Sequence, residues 1–189
     1  MSSKNSVSGF SLRMMVYGAL FTAFIIIGSY ISIPIPVGPV PIALADFFVM
    51  LTGLFLWWKY GLQSTALYLV LWALGLPVFA GGRAGLGIIL GPTGGFLFGY
   101  LLMVLAIGIV AGKMKPSIVS YLIALIAGNF FLYLAGIPWL KAVMNMSWPA
   151  AVAAGFTPFV IGMVIKIAAA AALARVLLLR FRQTMRVNT

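Results

Sequence analysis

The chain has 189 residues, of which 64% are hydrophobic and only 7% charged, and its mean hydropathy is +1.19. Soluble globular domains of this length do not normally reach these values, so the composition indicates a membrane protein. The absence of cysteine and histidine excludes disulfides, thiolate nucleophiles, imidazole bases and most transition-metal sites. A net charge of +11 would suggest a nucleic-acid partner for a soluble protein, but here we interpret it as membrane topology.

Since one span needs about 20 mostly apolar residues, the six apolar segments of the chain predict an all-α integral membrane protein with six transmembrane helices. The predicted spans are 12–33, 42–58, 62–76, 94–112, 117–140 and 150–179. We expect the first to be a retained helix rather than a signal peptide, because no small-residue cleavage site follows it. Short connections leave no room for a soluble domain, so we predict a single membrane-embedded domain over residues 1–189.

Two segments between the spans contain residues that interrupt helices. PIPVGPVP (34–41) has four prolines, and GGRAGLGIILGPTGGF (81–96) combines Pro92 with many glycines. The glycines at 87, 91, 95 and 99 also recur every four residues, a spacing that favours close helix contact. Irregular backbone near a bilayer is tolerated where it is buried in protein or lines a cavity, so both segments predict loops that shape a pocket.

The positions of the cations predict the orientation of the six spans. Only Arg83 and Lys141 fall on one side, and Lys166 lies within a span. Nine cations fall on the other side: Lys4, Arg13, Lys59, Lys113, Lys115, Arg175, Arg180, Arg182 and Arg186. By the positive-inside rule both termini are cytoplasmic, and the two irregular loops and their pocket face outward.

Two charged residues lie where charge is costly. Lys166 is about 14 Å inside the boundary set by Arg175, and a lysine there needs a cavity or a partner; we interpret it as attracting an anionic group of a solute, with snorkelling as the alternative. Asp46 is the sole acid and opens the second span. It is either a helix-start carboxylate, a ligand acceptor, or an ion-pair partner of Lys166 or Arg83.

Two further features concern packing or binding. Asn129 and Tyr133, four residues apart, share a helix face, and the amide either bonds between helices or binds an amide-like or urea-like ligand group. Ala19 and Ala23 form a small-x-x-x-small pair that permits close helix approach. The glycine-rich segment matches neither nucleotide-binding glycine motif, so it is not a phosphate site.

The order GLPVFAGG…LGPTGGFLFGY, GNFFLYLAGIPWL and PFVIGMVIK, with PVPI before the second span, resembles the BioY family, the biotin-specific S components of energy-coupling factor (ECF) transporters. The resemblance covers nearly the whole chain. It implies a six-helix bundle in a prokaryotic inner membrane, with a vitamin pocket near the outer side closed by the first and third outward loops. It also implies docking of alanine-rich faces, including Ala19 and Ala23, onto a transmembrane coupling subunit driven by two ATPases.

The resemblance further implies biotin as the ligand, with its ureido ring and carboxylate contacted by Lys166, Asn129, Asp46, Tyr133 and the loop residues Arg83, Gly82, Thr93 and Gly94. The chain departs from the family pattern at Met163, where the family usually has an acid three residues before the last lysine, and at Ala45, where it usually has a polar residue. Either Asp46 supplies the missing negative charge or the ligand contacts are rearranged.

Three other functions compete with biotin capture. The first is an S component for another small carboxylate-bearing vitamin. The second is an intramembrane enzyme, for which Lys166 and Asp46 are the only candidate catalytic groups, and the third is a stand-alone channel, for which a one-sided pocket is a poor path. We therefore predict a binding protein without catalytic residues, metal, cofactor or nucleic-acid partner.

Overall fold

The computed structural model describes residues 12–34, 39–82 and 85–186, and side chains as far as residue 178 with the exception of residue 86. These ranges fold into a helical bundle with a pair of two-residue antiparallel strands, β1 (Ser32–Ile33) and β2 (Ile42–Ala43). The α-helices in these ranges are α1 (Leu12–Tyr30), α2 (Ala45–Ala73), α3 (Leu86–Ile89), α4 (Gly94–Lys113), α5 (Ile118–Met144), α6 (Trp148–Gly155) and α7 (Val160–Arg186).

Four helical segments within the described ranges are long and apolar enough to cross a membrane. They are Leu12–Tyr30, Gly94–Lys113, Ile118–Met144 and Trp148–Leu178, and they correspond to the predicted first, fourth, fifth and sixth spans. The last of them joins α6 to α7 through a 3-10 turn at Thr157–Phe159. The first ends earlier than predicted, because the chain leaves α1 at Tyr30 and enters β1.

The predicted second and third spans are the two arms of α2. Trp57 has φ 56° and ψ −176°, a backbone conformation outside the helical region, and it divides α2 into arms 45–56 and 58–73. Each arm is shorter than the roughly 20 residues that a membrane-spanning helix needs. For this reason the described helices contain four candidate spans where the sequence predicts six.

Contacts with α1 show that the chain reverses at Trp57. The Leu44 N–H, just before the first arm, donates to Gly28 O at 3.1 Å, whereas Phe55, near the end of this arm, contacts Phe21. The first arm is therefore antiparallel to α1.

The second arm runs in the opposite direction. Ser64 Oγ donates to Gly18 O at 2.9 Å, and one turn further along the arm the Tyr68 hydroxyl lies 2.8 Å from Ser29 Oγ. This arm is therefore parallel to α1. The two arms form a helical hairpin against α1, with the Trp57 turn at the end of the bundle opposite Tyr30.

Helix α4 packs against both α2 and α5, and glycines allow the close approach. A Cβ on Gly95 would lie 2.2 Å from Trp139 Cβ, and one on Gly99 would lie 2.9 Å from Leu132 O. A Cβ on Gly87 would meet no described atom within 4 Å, and the atoms nearest to one on Gly91 belong to Gly87 and Ile88 of the adjacent α3. The four-residue glycine spacing thus predicts contact between long helices only within α4, because Gly87 lies in the short α3 and Gly91 follows it.

Gly108 of α4 provides a stability test. A Cβ at this position would lie 2.3 Å from the Trp58 backbone nitrogen, so we expect Gly108→Ala to destabilise the fold by about 1–3 kcal/mol, as overpacking does. Gly112 on the same helix is the matched control, since a Cβ there would meet no described atom within 4 Å. The melting temperature in detergent should fall for Gly108→Ala and not for Gly112→Ala. Equal effects would contradict the close approach of α4 to the Trp57 turn.

Candidate functional site

Both irregular loops lie at one end of the bundle. The proline loop, described at residues 31–34 and 39–44, pairs its two ends as β1 and β2 before the start of α2. The glycine-rich loop between α2 and α4 is described at residues 74–82 and 85–93. The Tyr30 hydroxyl donates to Pro77 O, and Trp139 Nε1 donates to Gly91 O at 2.9 Å. These bonds tie the glycine-rich loop to the end of α1 and to α5.

An ion pair lies directly beneath the proline loop. Lys166 Nζ donates to Asp46 Oδ1 at 2.7 Å and to Ala43 O at 2.6 Å, and the two side chains are only 12% and 18% exposed. The ion pair that the sequence offered as one role of Asp46 is therefore present. The pair joins α7 to the first turn of α2, two elements that are far apart in the sequence.

The ion pair retains capacity for further hydrogen bonds. A lysine ammonium has three N–H donors, and the bonds to Asp46 and Ala43 use two of them. Asp46 Oδ1 also accepts the Phe47 N–H at 2.9 Å, so these contacts involve one of the two carboxylate oxygens. A ligand at this position can meet both a donor and an acceptor without breaking the pair.

A small cavity of about 40 Å³ adjoins the ion pair beneath the loops. Its lining includes Ala43, whose carbonyl accepts from Lys166, together with Thr93, Phe96 and Tyr100. This volume holds a water molecule but is far below the roughly 300–1,000 Å³ of small-molecule pockets. This recess, as the described residues form it, is therefore too small for a vitamin-sized ligand.

A second, larger recess lies on the other side of Phe96. We call it the α5–α7 groove. It has a volume of about 550 Å³ and is lined by Ile126, Asn129, Phe130, Tyr133, Leu134, Ile137, Pro138, Trp148, Val152, Phe156, Met163 and Ile167. The Tyr133 ring contacts Phe96 edge to face, with centroids 6.2 Å apart. Phe96 thus separates the small cavity from the groove.

Asn129 has an unusual environment at the inner wall of this groove. It is 3% exposed, and its Nδ2 donates to Leu125 O at 2.9 Å and lies 3.9 Å from Met50 Sδ of α2. Its Oδ1 is buried without a hydrogen-bond partner among the described residues. Such an acceptor costs about 1–3 kcal/mol, so an N–H donor brought by a ligand would relieve the cost.

The residues that the sequence predicts for the site lie in different parts of the structure. Lys166 and Asp46 are paired, Asn129 and Tyr133 share the groove wall, and Thr93 lines the small cavity. Gly82 follows the cavity residue Ala80, and a Cβ on it would lie 3.8 Å from the Tyr30 ring.

Gly94 has a packing role. A Cβ there would lie 1.8 Å from Ile89 O and 3.0 Å from Trp139 Nε1, so only glycine fits between α3 and α5. Arg83, which the sequence also assigns to the site, lies outside the described residues.

The sequence analysis missed the aromatic part of the site. Phe79, Phe96 and Tyr100 line the small cavity together with Ser29. The three aromatic residues lie within the GLPVFAGG and LGPTGGFLFGY motifs, so the motifs contained the signal, although single aromatic residues in an apolar chain are not distinctive. Ser29 is recognisable only through its buried hydroxyl contact with Tyr68.

These features define a helical membrane protein with a charged, loop-covered recess at one end of its bundle. The BioY family model matches residues 1–183, and the chain belongs to the BioY family.

Individual relatives agree with this assignment. The "Biotin transporter BioY" of Thermotoga maritima is 41% identical over 163 residues, covering 86% of this chain and 94% of that protein. The "Biotin transporter BioY" of Rhizobium etli is 34% identical over 181 residues, covering 90% and 96%. A crystal structure of the S-component for biotin from an ECF-type ABC transporter matches with a TM-score of 0.83 and 31% identity, covering 96% of this chain and 95% of the other.

The ion pair generates a prediction about stability. Each single substitution, Lys166→Met or Asp46→Asn, leaves the remaining group poorly exposed and without its partner. For a fully buried pair such a change lowers the free energy of unfolding by about 3–5 kcal/mol. We expect a smaller loss here because both side chains keep some exposure. The Lys166→Met/Asp46→Asn double variant should lose less than the sum of the two single variants, with a coupling of about 0.5–3 kcal/mol. Melting temperatures of the four proteins in detergent give this coupling, and additive losses would contradict the pair.

Proposed function

We propose that this chain captures biotin as the membrane-embedded substrate-binding subunit of an ECF-type transporter, and that it is a binding protein rather than an enzyme. The names of its relatives and the matching S-component structure support this function. The whole-chain family match extends the support to both irregular loops.

The observation that carries the proposal is the Lys166–Asp46 pair beside the loop-covered cavity. Biotin has a carboxylate at one end and a ureido ring, with N–H donors and a carbonyl, at the other. The third N–H of Lys166 suits an anionic or carbonyl acceptor, and Asp46 suits the ureido N–H groups. The buried Oδ1 of Asn129 is a second acceptor for a ureido N–H, and Tyr133 and Thr93 complete the polar contacts.

The recess that the described residues form beneath the loops is too small for biotin, so the proposed binding requires the loops to move. Residues of the proline loop and of the glycine-rich loop line the 40 Å³ cavity. Bonds to α1 and α5 hold the glycine-rich loop, whereas the proline loop is bonded to α1 through Leu44 and to Lys166 through Ala43. Gly82, two residues after the cavity residue Ala80, and Gly94, at the start of α4, are the glycines that we assign to this end of the ligand site. Arg83 remains a ligand contact proposed from the sequence alone. Outward movement of both loops would join the cavity to the space beside Lys166.

The proposed topology has six spans, with both termini cytoplasmic and the loop end facing outward in a prokaryotic inner membrane. The hairpin of α2 supports six passes, because its two arms run antiparallel and parallel to α1. Lys59 follows the Trp57 turn and Lys113 ends α4, at the end of the bundle opposite the loops. This distribution agrees with the positive-inside rule.

The proposed partners are a transmembrane coupling subunit and two ATPases. Ala19 and Ala23 are exposed on α1, and a Cβ on the adjacent Gly18 would meet no described atom within 4 Å. This strip of small residues is not covered by the described part of the chain, which supports docking of another helix there.

Removal of the Lys166 charge tests the biotin site. We expect Lys166→Met to weaken biotin binding by roughly 2–5 kcal/mol, the loss typical of truncating one partner of a buried charge pair, as measured by titration calorimetry in detergent. Lys115→Met is the matched control, because Lys115 is exposed at the opposite end of the bundle and its loss should leave binding unchanged.

Ligand analogues separate the possible outcomes. If Lys166 binds the carboxylate of biotin, biotin methyl ester should bind the wild type poorly. The Lys166→Met variant should then bind biotin and its methyl ester with similar affinity. Unchanged biotin affinity in a folded Lys166→Met variant would remove Lys166 from the site. Absence of biotin binding by the wild type, with binding of another carboxylate-bearing vitamin, would refute the proposed substrate.

Enlargement of the small-residue strip tests the docking proposal. We expect Ala19→Trp to abolish copurification of the coupling subunit and biotin transport, because the indole prevents close helix approach, while biotin affinity stays unchanged. Ala169→Trp is the control, since Ala169 is an exposed alanine of α7. Loss of biotin binding in Ala19→Trp would instead assign the strip to packing within the bundle.

A further inference from the structure

The α5–α7 groove shares Asn129 and Tyr133 with the proposed biotin contacts, whereas its other lining residues are hydrophobic. Its α5 wall includes Ile126, Phe130 and Leu134, which are 59%, 62% and 53% exposed, so the groove opens toward the surroundings of the bundle. Lys166 and Asp46 do not line it. In a membrane-inserted bundle such an opening faces acyl chains.

The length of the groove corresponds to one leaflet of a bilayer. Its lining on α5 extends from Ile126 to Pro138, which is about 18 Å at 1.5 Å per residue. One leaflet contributes about half of the roughly 30 Å hydrocarbon core. Because the groove follows the axis of a long apolar helix, an acyl chain lying in it would keep the direction that it has in the bilayer.

A cation marks one end of the groove. Lys141 lies one turn beyond Pro138 in the last turn of α5, and its Nζ is 5.3 Å from the ring centroid of Trp148. Trp148 itself lines the groove. The Lys141 ammonium therefore lies beside the end of the apolar lining. The phosphate of a lipid whose acyl chain filled the groove would lie at the same place.

We infer that the α5–α7 groove binds one anionic phospholipid, with an acyl chain along α5 and the phosphate at Lys141. This inference rests on the proposed membrane insertion and is independent of biotin as substrate. In the proposed topology the lipid belongs to the outer leaflet. Asn129 Oδ1 is buried, so a lipid lying in the groove makes no contact with that atom.

The charge of Lys141 is tested with dioleoyl phosphatidylglycerol added to the purified chain in detergent. Native mass spectrometry gives the apparent dissociation constant of the lipid complex. We expect Lys141→Gln to weaken binding about fivefold, the contribution of one lysine near an anionic lipid surface. Lys59→Gln is the matched control: Lys59 lies 5.2 Å from the ring centroid of Trp58, a similar cation–π pair whose tryptophan does not line the groove, and its loss should leave the affinity unchanged.

The apolar part of the site is tested by filling the groove. Val152→Trp should abolish lipid binding because Val152 lines the groove, whereas Ala153→Trp at the exposed neighbouring position should not. Ile137→Trp on the opposite wall provides a second filling variant if Val152→Trp does not fold. Lipid binding that survives in a folded filling variant would overturn the groove as the site.

Two further comparisons define the ligand and separate this inference from the proposed function. Glycerol 3-phosphate, which has no acyl chain, should not compete with the phospholipid; competition would reduce the site to a surface anion contact and overturn the inference. Biotin affinity is measured on the same samples and should be unchanged by Lys141→Gln. Loss of biotin binding together with lipid binding in that variant would refute two separate sites.

Discussion

The Lys166 ammonium imposes the main physical constraint on this structure. A charge inside an apolar bundle is costly unless it is paired and hydrogen-bonded, and this chain has a single acid with which to pair it. The pair with Asp46, completed by the Ala43 carbonyl, therefore fixes where the start of α2 must lie relative to α7. Since β2 directly precedes α2, the same contact also fixes the return of the proline loop over the cavity.

The second loop is held by different chemistry. Tyr30 and Trp139 donate to carbonyls of the glycine-rich loop, and Gly94 allows α3 to lie against the start of α4 with no space for a side chain. Irregular backbone at membrane depth needs such partners, because lipid offers none. The glycine and proline residues that interrupt the helices thus allow two loops to cover a recess while backbone groups of the loops keep their hydrogen bonds.

Much of this arrangement follows from the sequence by local rules. The cost of a lone charge predicts that Asp46 can pair with Lys166, and the four-residue spacing predicts that Asn129 and Tyr133 share a face. The reversal within α2 is only partly predictable: Trp57-Trp58-Lys59-Tyr60 indicates an interface, but the conformation of Trp57 depends on packing against Gly108 of α4. The separation of the two recesses by Phe96 depends on contacts between distant helices, to which no sequence pattern points.

Met163 stands where the resemblance to the BioY family implies an acid, and this difference has a structural consequence. An acid there would lie three residues from Lys166 on the same helix face, and a pair within α7 would place no constraint on α2. In this chain Met163 lines the α5–α7 groove, and the acid comes from α2 instead. The bond therefore joins two helices and the end of the proline loop. A group that draws Lys166 away from Asp46 would also weaken the attachment of this loop, so under the proposed function ligand recognition and loop position share one interaction.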